Sequence, residues 1–434
     1  MTDTRFVLKA AAVAALLVPW ASRLPAQPPE PNAQPAATPV TSAPQTAARP
    51  VAKPNEQPLV TPALEPAFRG TLVAAVDQPA WQVRFEAADG PRHVEIKELA
   101  LWGAFLRPAA GVWVVLAGGG VMVVDAVGIV EDQLVANSPL TGNFAVPLRL
   151  VAGIVLQTPA DRTASDRLID RVLSLSGQVD RVILENGDEL TGTITSFDGA
   201  TLRLKSDDNM WDLPLAKLAT VLFNSILIDK PNPAGLRVVV GLQDGSRMTA
   251  LSLVSEDKTA RLKLIGGVDV SLPLESIVAL QPLGGSVVYL SDMKPASYRH
   301  IPFLDLSWPF GADRSVQQAM LSAGGKLYLK GLGMHSPSRI TYELDEPFQR
   351  FDAEVAIDTE AGRRGSVVFR VFTDDGSGAW QERATSQIVR GGEPPVQLSA
   401  DLSGARRISL LVDFADRGDE QDHADWLNAR LIRQ

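Results

Sequence analysis

The sequence predicts an all-β protein in which tandem small β-barrels precede a C-terminal antiparallel β-sandwich, with one short helix between barrel repeats. Three observations predict this: an internal repeat built from short strands, cleanly alternating segments beyond Pro302, and one isolated stretch of helical periodicity. A chain of 434 residues exceeds one ordinary core and calls for several domains.

The repeat is the firmest of these. Residues 180–223 contain Arg181-Val-Ile-Leu-Glu-Asn-Gly187, Thr201-Leu-Arg-Leu-Lys205 and Leu213-Pro214-Leu215. Residues 236–282 contain Arg237-Val-Val-Val-Gly-Leu-Gln-Asp-Gly245, Thr259-Ala-Arg-Leu-Lys-Leu264 and Leu272-Pro273-Leu274 in the same order. Gly119 and Val146-Pro147-Leu148 stand in the same relation and mark a third copy. A degenerate fourth, carrying Asp89-Gly90 and Ile96-Lys-Glu-Leu99, opens the series. Asn-Gly and Asp-Gly supply the positive φ of tight hairpins, and the flanking segments alternate at period two. Each unit holds four or five short strands, enough for a small bent barrel. In pattern it resembles SH3-like and Sm-like barrels. The expected boundaries are 67–160, 179–230 and 231–285. Residues 161–178 form a connecting helix, with Leu168, Ile169, Val172 and Leu175 on one face and Asp161 or Thr163 as cap.

Ahead of the repeats, Arg5 and Lys9 precede an apolar run from Ala10 to Trp20, and Ala26 offers a small residue before a cut. The run suits a signal peptide over residues 1–26 and is too short to span a bilayer; a retained anchor is the alternative. Residues 27–66 carry eleven prolines and too little apolar surface to fold, so a disordered, semi-rigid tether is expected there. The expected compartment is secreted, periplasmic or cell envelope. With no cysteine, the chain has neither a disulfide framework nor a lipoprotein anchor. A net charge of −9 without a basic block argues against nucleic acid.

Beyond Pro302, Ile340, Tyr342 and Leu344 alternate with Arg339, Thr341 and Glu343. Ala353, Val355 and Ile357 repeat the pattern, and segments at 366–373, 407–414 and 427–432 follow. Short half-buried strands between Gly, Asp and Pro loops make an antiparallel sandwich. Several motifs then stand in register: Asp313-Arg-Ser-Val316, Lys330-Gly-Leu-Gly-Met-His335-Ser-Pro-Ser338, Gly365-Ser-Val-Val-Phe369 and Asp422-His-Ala-Asp-Trp426-Leu-Asn-Ala-Arg430. This region, 302–434, resembles the NPCBM family, carbohydrate-binding modules found beside glycoside hydrolase catalytic domains and including the family 98 type. The resemblance implies a jelly-roll, galactose-binding-like sandwich and glycan as ligand.

Sugar recognition needs an aromatic face for the C–H side of a ring and planar hydrogen-bonding groups for its hydroxyls. Trp308, Tyr328, Tyr342, Trp380 and Trp426 are the aromatic candidates, with Tyr342 on the core side of its strand. Asp422, His423, Asp425 and Trp426 would bring platform and hydrogen bonders from one loop, with His335 approaching from the other signature. The assigned carbohydrate-binding set is therefore His335, Trp380, Asp422, His423, Asp425 and Trp426. For each signature residue, support of the fold is the competing role. The carboxylate-rich loop 416–422 reads as a solvated acidic loop, with a structural calcium as the weaker alternative and no cofactor required.

Catalysis is not expected. His93, His300, His335 and His423 are far apart in sequence, and no H-E-x-x-H, G-x-S-x-G or P-loop pattern is present. The chain reads as an exported, non-catalytic carbohydrate-binding protein. The alternatives are an envelope scaffold whose barrels bind a protein partner and an accessory or catalytic subunit of a glycoside hydrolase.

Overall fold

The computed structural model describes residues 57–434 apart from 175, 303–305 and 434. The expected signal peptide and most of the proline-rich tether lie outside the described residues. No described helix is long and apolar enough to cross a membrane.

Four barrel units follow one another. The first comprises Leu59–Pro62, Phe68–Val76, Gln82–Ala87, Gly90–Glu95 and Leu99–Gly103. The second comprises Val112–Leu116, Val121–Val124 with Ala126–Val130, Gln133–Ser138, Gly142–Pro147 and Val151–Val155. The third comprises Asp180–Leu184, Glu189–Phe197, Thr201–Ser206, Asn209–Pro214 and Leu218–Leu222, and the fourth Arg237–Leu242, Arg247–Glu256, Thr259–Leu264, Asp269–Pro273 and Ile277–Leu283. In every unit the first strand pairs with both the second and the last, which closes the barrel. Register shifts at Leu72/Ala74, Ile194/Ser196 and Ala250/Ser252 bend the long second strand, so it serves both halves of its barrel.

The repeated sequence signals have local causes. Gly119, Gly187 and Gly245 have φ of +87°, +88° and +82°, and each donates its N–H to the carbonyl three residues earlier, turning the first strand into the second. Pro147, Pro214 and Pro273 end the fourth strand and begin a single 3-10 turn to the fifth. Their backbone has the extended φ that proline fixes, and no N–H is missed there. Glu95 takes the same place in the first unit. Asp89-Gly90 belongs to a different hairpin, between the third and fourth strands of that unit.

One expectation needs correction. Leu59–Pro62, assigned to the disordered tether, is the closing strand of the first barrel, pairing with Phe68–Val76 and Leu99–Gly103. Val60 is fully buried there, and Pro62 is accommodated at a register shift. Prolines 58 and 62 masked a short alternating strand.

The units associate out of sequence order. The last strands of the second and third pair antiparallel (Gly153 with Leu222, Val155 with Thr220), as do those of the first and fourth (Leu280 with Trp102). One contiguous hydrophobic core runs through all four. The helix α1, Arg162–Ser174, is capped by Asp161, whose Oδ1 accepts the Ala164 N–H at 2.8 Å. It lays Ile169 and Val172 against Trp113, Val155 and Leu222.

The C-terminal sandwich has two sheets of six strands. The first runs Gly311–Ala312, Gly331–His335, His423–Arg433, Phe348–Ile357, Val396–Asp401, with Val287–Tyr289 also on His423–Arg433. The second runs Ser297–His300, Ser338–Glu343, Arg407–Phe414, Ser366–Asp374, Gln381–Thr385, with Val389–Arg390 on Ser366–Asp374. Two strands thus lie upstream of Pro302. Tyr342, Phe351, Phe369 and Trp426 fill the space between the sheets, none of them reaching solvent.

The outer face of the first sheet is covered. The hairpin Leu321–Ala323/Lys326–Tyr328 packs on Leu427, and Tyr289 and Ile432 form a small core with Ala63 and Ala100 of the first barrel. Gln281 donates to Asn428 Oδ1 at 3.2 Å and to Tyr289 Oη at 3.0 Å. On α1, buried Asp166 accepts from Arg107 at 2.7 and 2.8 Å, while Asp170 accepts from Arg314 of the sandwich. Periodicity identified the apolar face of α1, but not this polar one.

Candidate functional site

Three of the family signatures converge at one end of the sandwich, where residues 306–310, 336–337, 358–365, 391–395 and 415–422 connect its strands. His335 ends one strand of the first sheet and His423 begins its neighbour, directly opposite in register. Their rings lie 5.6 Å apart, and Trp308, half-buried within residues 306–310, stacks on His335 at 5.2 Å with an interplanar angle of 5°. Trp308 also meets His423 at 5.8 Å. His300, not among the assigned residues, packs edge-on to His335 at 5.6 Å. Its place at the end of an unrecognised strand hid it.

Hydrogen bonds fix the tautomers. His335 Nδ1–H donates to the Ser336 carbonyl at 2.9 Å, leaving Nε2 as an acceptor. The Trp308 N–H donates to His300 Nδ1 at 3.1 Å, so His300 carries its proton on Nε2 and turns it to the Ser336 carbonyl. Burial pushes His335 down, and burial with the neighbouring His335 pushes His423 down to about 4. At neutral pH both imidazoles are uncharged.

Asp422 stands beneath this group and does not touch solvent. Its carboxylate accepts from Ser336 Oγ at 2.5 Å and from the Ser366 N–H at 2.7 Å, tying three connections together. Burial raises it to about 6 against these hydrogen bonds. Asp425 and Trp426 are not on a loop but inside the strand His423–Arg433, and both are fully buried. Trp426 packs edge-on against Phe369 and Phe351, so it is core and offers no platform. Asp425 lies beneath the Leu321–Tyr328 hairpin beside Asp358. Burial and the Asp358 charge hold it well above the ordinary carboxylate value, which favours its neutral form beside Asp358. Asp358 in turn accepts the N–H groups of Ser322 and Glu360 at 3.1 and 2.8 Å.

The structure separates Trp380 from the other assigned residues. It lies over the outer face of the second sheet, with the Arg339 and Arg407 guanidiniums 4.5 and 5.1 Å from its ring centroid. Tyr328 donates to Glu354 at 3.0 Å and is buried. The acids of 416–422 are largely committed, with Asp416 paired to Arg390 and Glu420 to Arg364. Among the described residues no three His, Asp or Glu side chains are grouped to hold a metal.

Residues 286–432 match the NPCBM/NEW2 domain. An alpha-1,3-galactosidase B of Akkermansia muciniphila is 36% identical over 120 residues, 27% of this chain and 14% of that enzyme. The chain spans 7% and 14% of the curated relatives it matches. Among solved structures, CBM51-2 with INT domains from Clostridium perfringens ZmpB, in complex with GlcNAc, is 25% identical, covering 42% of this chain and 40% of that one with a TM-score of 0.30. The CBM51 from Clostridium perfringens GH95 in complex with methyl-galactose is 22% identical, covering 34% and 99% with a TM-score of 0.29.

Proposed function

We propose, from a C-terminal region that is an NPCBM/NEW2 carbohydrate-binding domain, that this protein is an exported, non-catalytic glycan binder whose site is the Trp308–His335–His423 end of the sandwich. The observation that carries the reading is the stack of Trp308 on His335, with His423 beside it and no protein hydrogen-bond partner on the His423 ring among the described residues. A half-buried indole suits the C–H face of a pyranose. Uncharged imidazoles can both accept from and donate to hydroxyls without demanding a counter-charge, so a neutral terminal sugar is the preferred ligand. Asp422 holds the connections and acts as a positioning residue. The barrels present the domain rather than perform chemistry.

The test is a glycan array followed by calorimetry on the full chain, because the sandwich shares cores and hydrogen bonds with the barrels. Selective binding to neutral terminal sugars, lost in Trp308→Ala and His335→Ala with the fold intact, supports the reading. Wild-type silence across a broad array refutes it.

A second reading, a protein-binding scaffold, has one observation in its favour. The strand Asn209–Pro214 pairs with Thr201–Ser206 alone among the described strands, and it exposes Met210 and Trp211. Glycan silence combined with a partner whose binding is lost in Trp211→Ala would favour it.

A further inference from the structure

The outer face of the second sheet carries unbalanced positive charge. Ser297–His300 and Ser338–Glu343 pair so that Arg299 stands directly opposite Arg339, both exposed. Like charges at paired positions repel. Among the described residues neither arginine forms an ion pair, whereas Arg407 is neutralised by buried Asp374 and Arg370 by Glu382. The one protein hydrogen bond of Arg339 runs from Nε to Ser409 Oγ at 2.6 Å, leaving both terminal nitrogens unengaged.

Trp380 gives that arginine a fixed setting. With its guanidinium 4.5 Å from the ring centroid and Nε tied to Ser409, the planar fork is held before any ligand arrives. A cleft lined by Tyr298, Arg299, Arg339, Glu343, Trp380 and Arg407 runs across this face. Glu343 stands opposite Arg407 in register, so the excess positive charge lies at the Arg299–Arg339 end. A pre-set guanidinium with free terminal nitrogens, a second arginine beside it and an aromatic ring at the wall match an anionic group carried on a sugar ring.

We propose that this cleft is a second binding site, separate from the Trp308–His335 end, and that it takes an acidic sugar residue whose carboxylate or sulfate is received by Arg339 and Arg299. The inference rests on the glycan-binding reading of the domain but not on the location of its neutral-sugar site.

The experiment is calorimetric titration of the full chain with trigalacturonate, a sulfated galactose trisaccharide and neutral galactotriose. Binding of either acidic probe, weakened at least tenfold by Arg339→Gln and by Trp380→Ala but unchanged by His335→Ala, is expected. Preference between the two probes tells carboxylate from sulfate. Arg339→Gln, at an exposed position, decides the matter should Trp380→Ala fail to fold, and Arg339→Lys is expected to fall between. No acidic binding at millimolar probe, or binding indifferent to Arg339→Gln, overturns the inference. Should neutral array ligands bind while acidic probes do not, this site alone falls; should nothing bind, the parent reading falls with it.

Discussion

The depressed basicity of His423 leads to a prediction about acid stability. Its folded pKa of about 4 lies below the unfolded value of 6.5, so the unfolded chain holds more protons between these limits. The stability contributed by the neutral ring is complete above pH 6.5 and disappears as pH falls toward 4. From the two values, lowering pH from 7 to 5 costs about 2 kcal/mol. Asp422 works against this. Its folded pKa of about 6 exceeds the unfolded 3.8, so its ionisation destabilises the fold as pH rises through that window. Acidification from 7 to 5 therefore returns roughly 1 kcal/mol. The wild-type slope is then shallow because two buried groups oppose each other, and single substitutions expose them. Relative to wild type, His423→Gln gains about 2 kcal/mol on going from pH 7 to 5, and Asp422→Asn loses roughly 1 kcal/mol. Hydrogen exchange of the His423–Arg433 strand in graded urea, at both pH values, measures the opening free energy of this part of the molecule. Parallel losses in wild type and His423→Gln, or an NMR titration of His423 centred near 6.5, would refute the reasoning.

Further predictions follow from burial and backbone geometry. Trp426→Ala empties a fully buried site and should cost about 3–5 kcal/mol, seen as loss of the folded sandwich by near-UV circular dichroism rather than as selective loss of binding. Asp425→Asn keeps a neutral donor beside Asp358 and should change stability by less than about 1 kcal/mol, whereas Asp358→Ala strands the Ser322 N–H and Asp425 and should cost several-fold more in urea unfolding. Gly187→Ala meets no atom and should cost only its left-handed strain, about 1–2 kcal/mol. Gly245→Ala at the equivalent turn would place Cβ 2.0 Å from the Arg107 carbonyl oxygen, and should disrupt the fourth unit outright, measured as lost soluble yield and lost exchange protection.

The last three barrels were legible because each closure repeats the same local chemistry: a left-handed glycine at the first hairpin, alternating strands, and a proline before the final turn. The first unit lacks that glycine and that proline. The sandwich was legible at Ile340 and Tyr342, where one face is buried and the other wet. It was only half legible at His423–Arg433, where residues 427–432 read as a strand but burial on both faces removes the alternation that would have extended it back, so Asp425 and Trp426 looked like loop residues. Leu59–Pro62 was lost to its prolines. The candidate site was half legible in its geometry: the signatures named His335 and His423, which the fold brings together, and aromatic character named Trp308. Nothing in spacing said that Trp308 would stack on His335 or that Trp380 would lie elsewhere, because both are consequences of how connections fold back. The neutral Asp425 has no sequence signal either, since its protonation arises from a hairpin covering it.

The out-of-order pairing of the barrels has a mechanical consequence. The strand Leu59–Pro62 neighbours Leu99–Gly103, whose Ala100 carbonyl accepts from Tyr289 at 3.1 Å, and the Ala63 carbonyl accepts from Arg350 of the sandwich at 3.0 Å. Tension applied at Gln57 therefore reaches the sandwich across two short hydrogen-bonded steps. The second and third barrels lie off that line of force and act as ballast rather than as links in series. Force applied at Gln57 loads the first barrel's closing strand first, so resistance to pulling is set by that strand and not by the number of barrels.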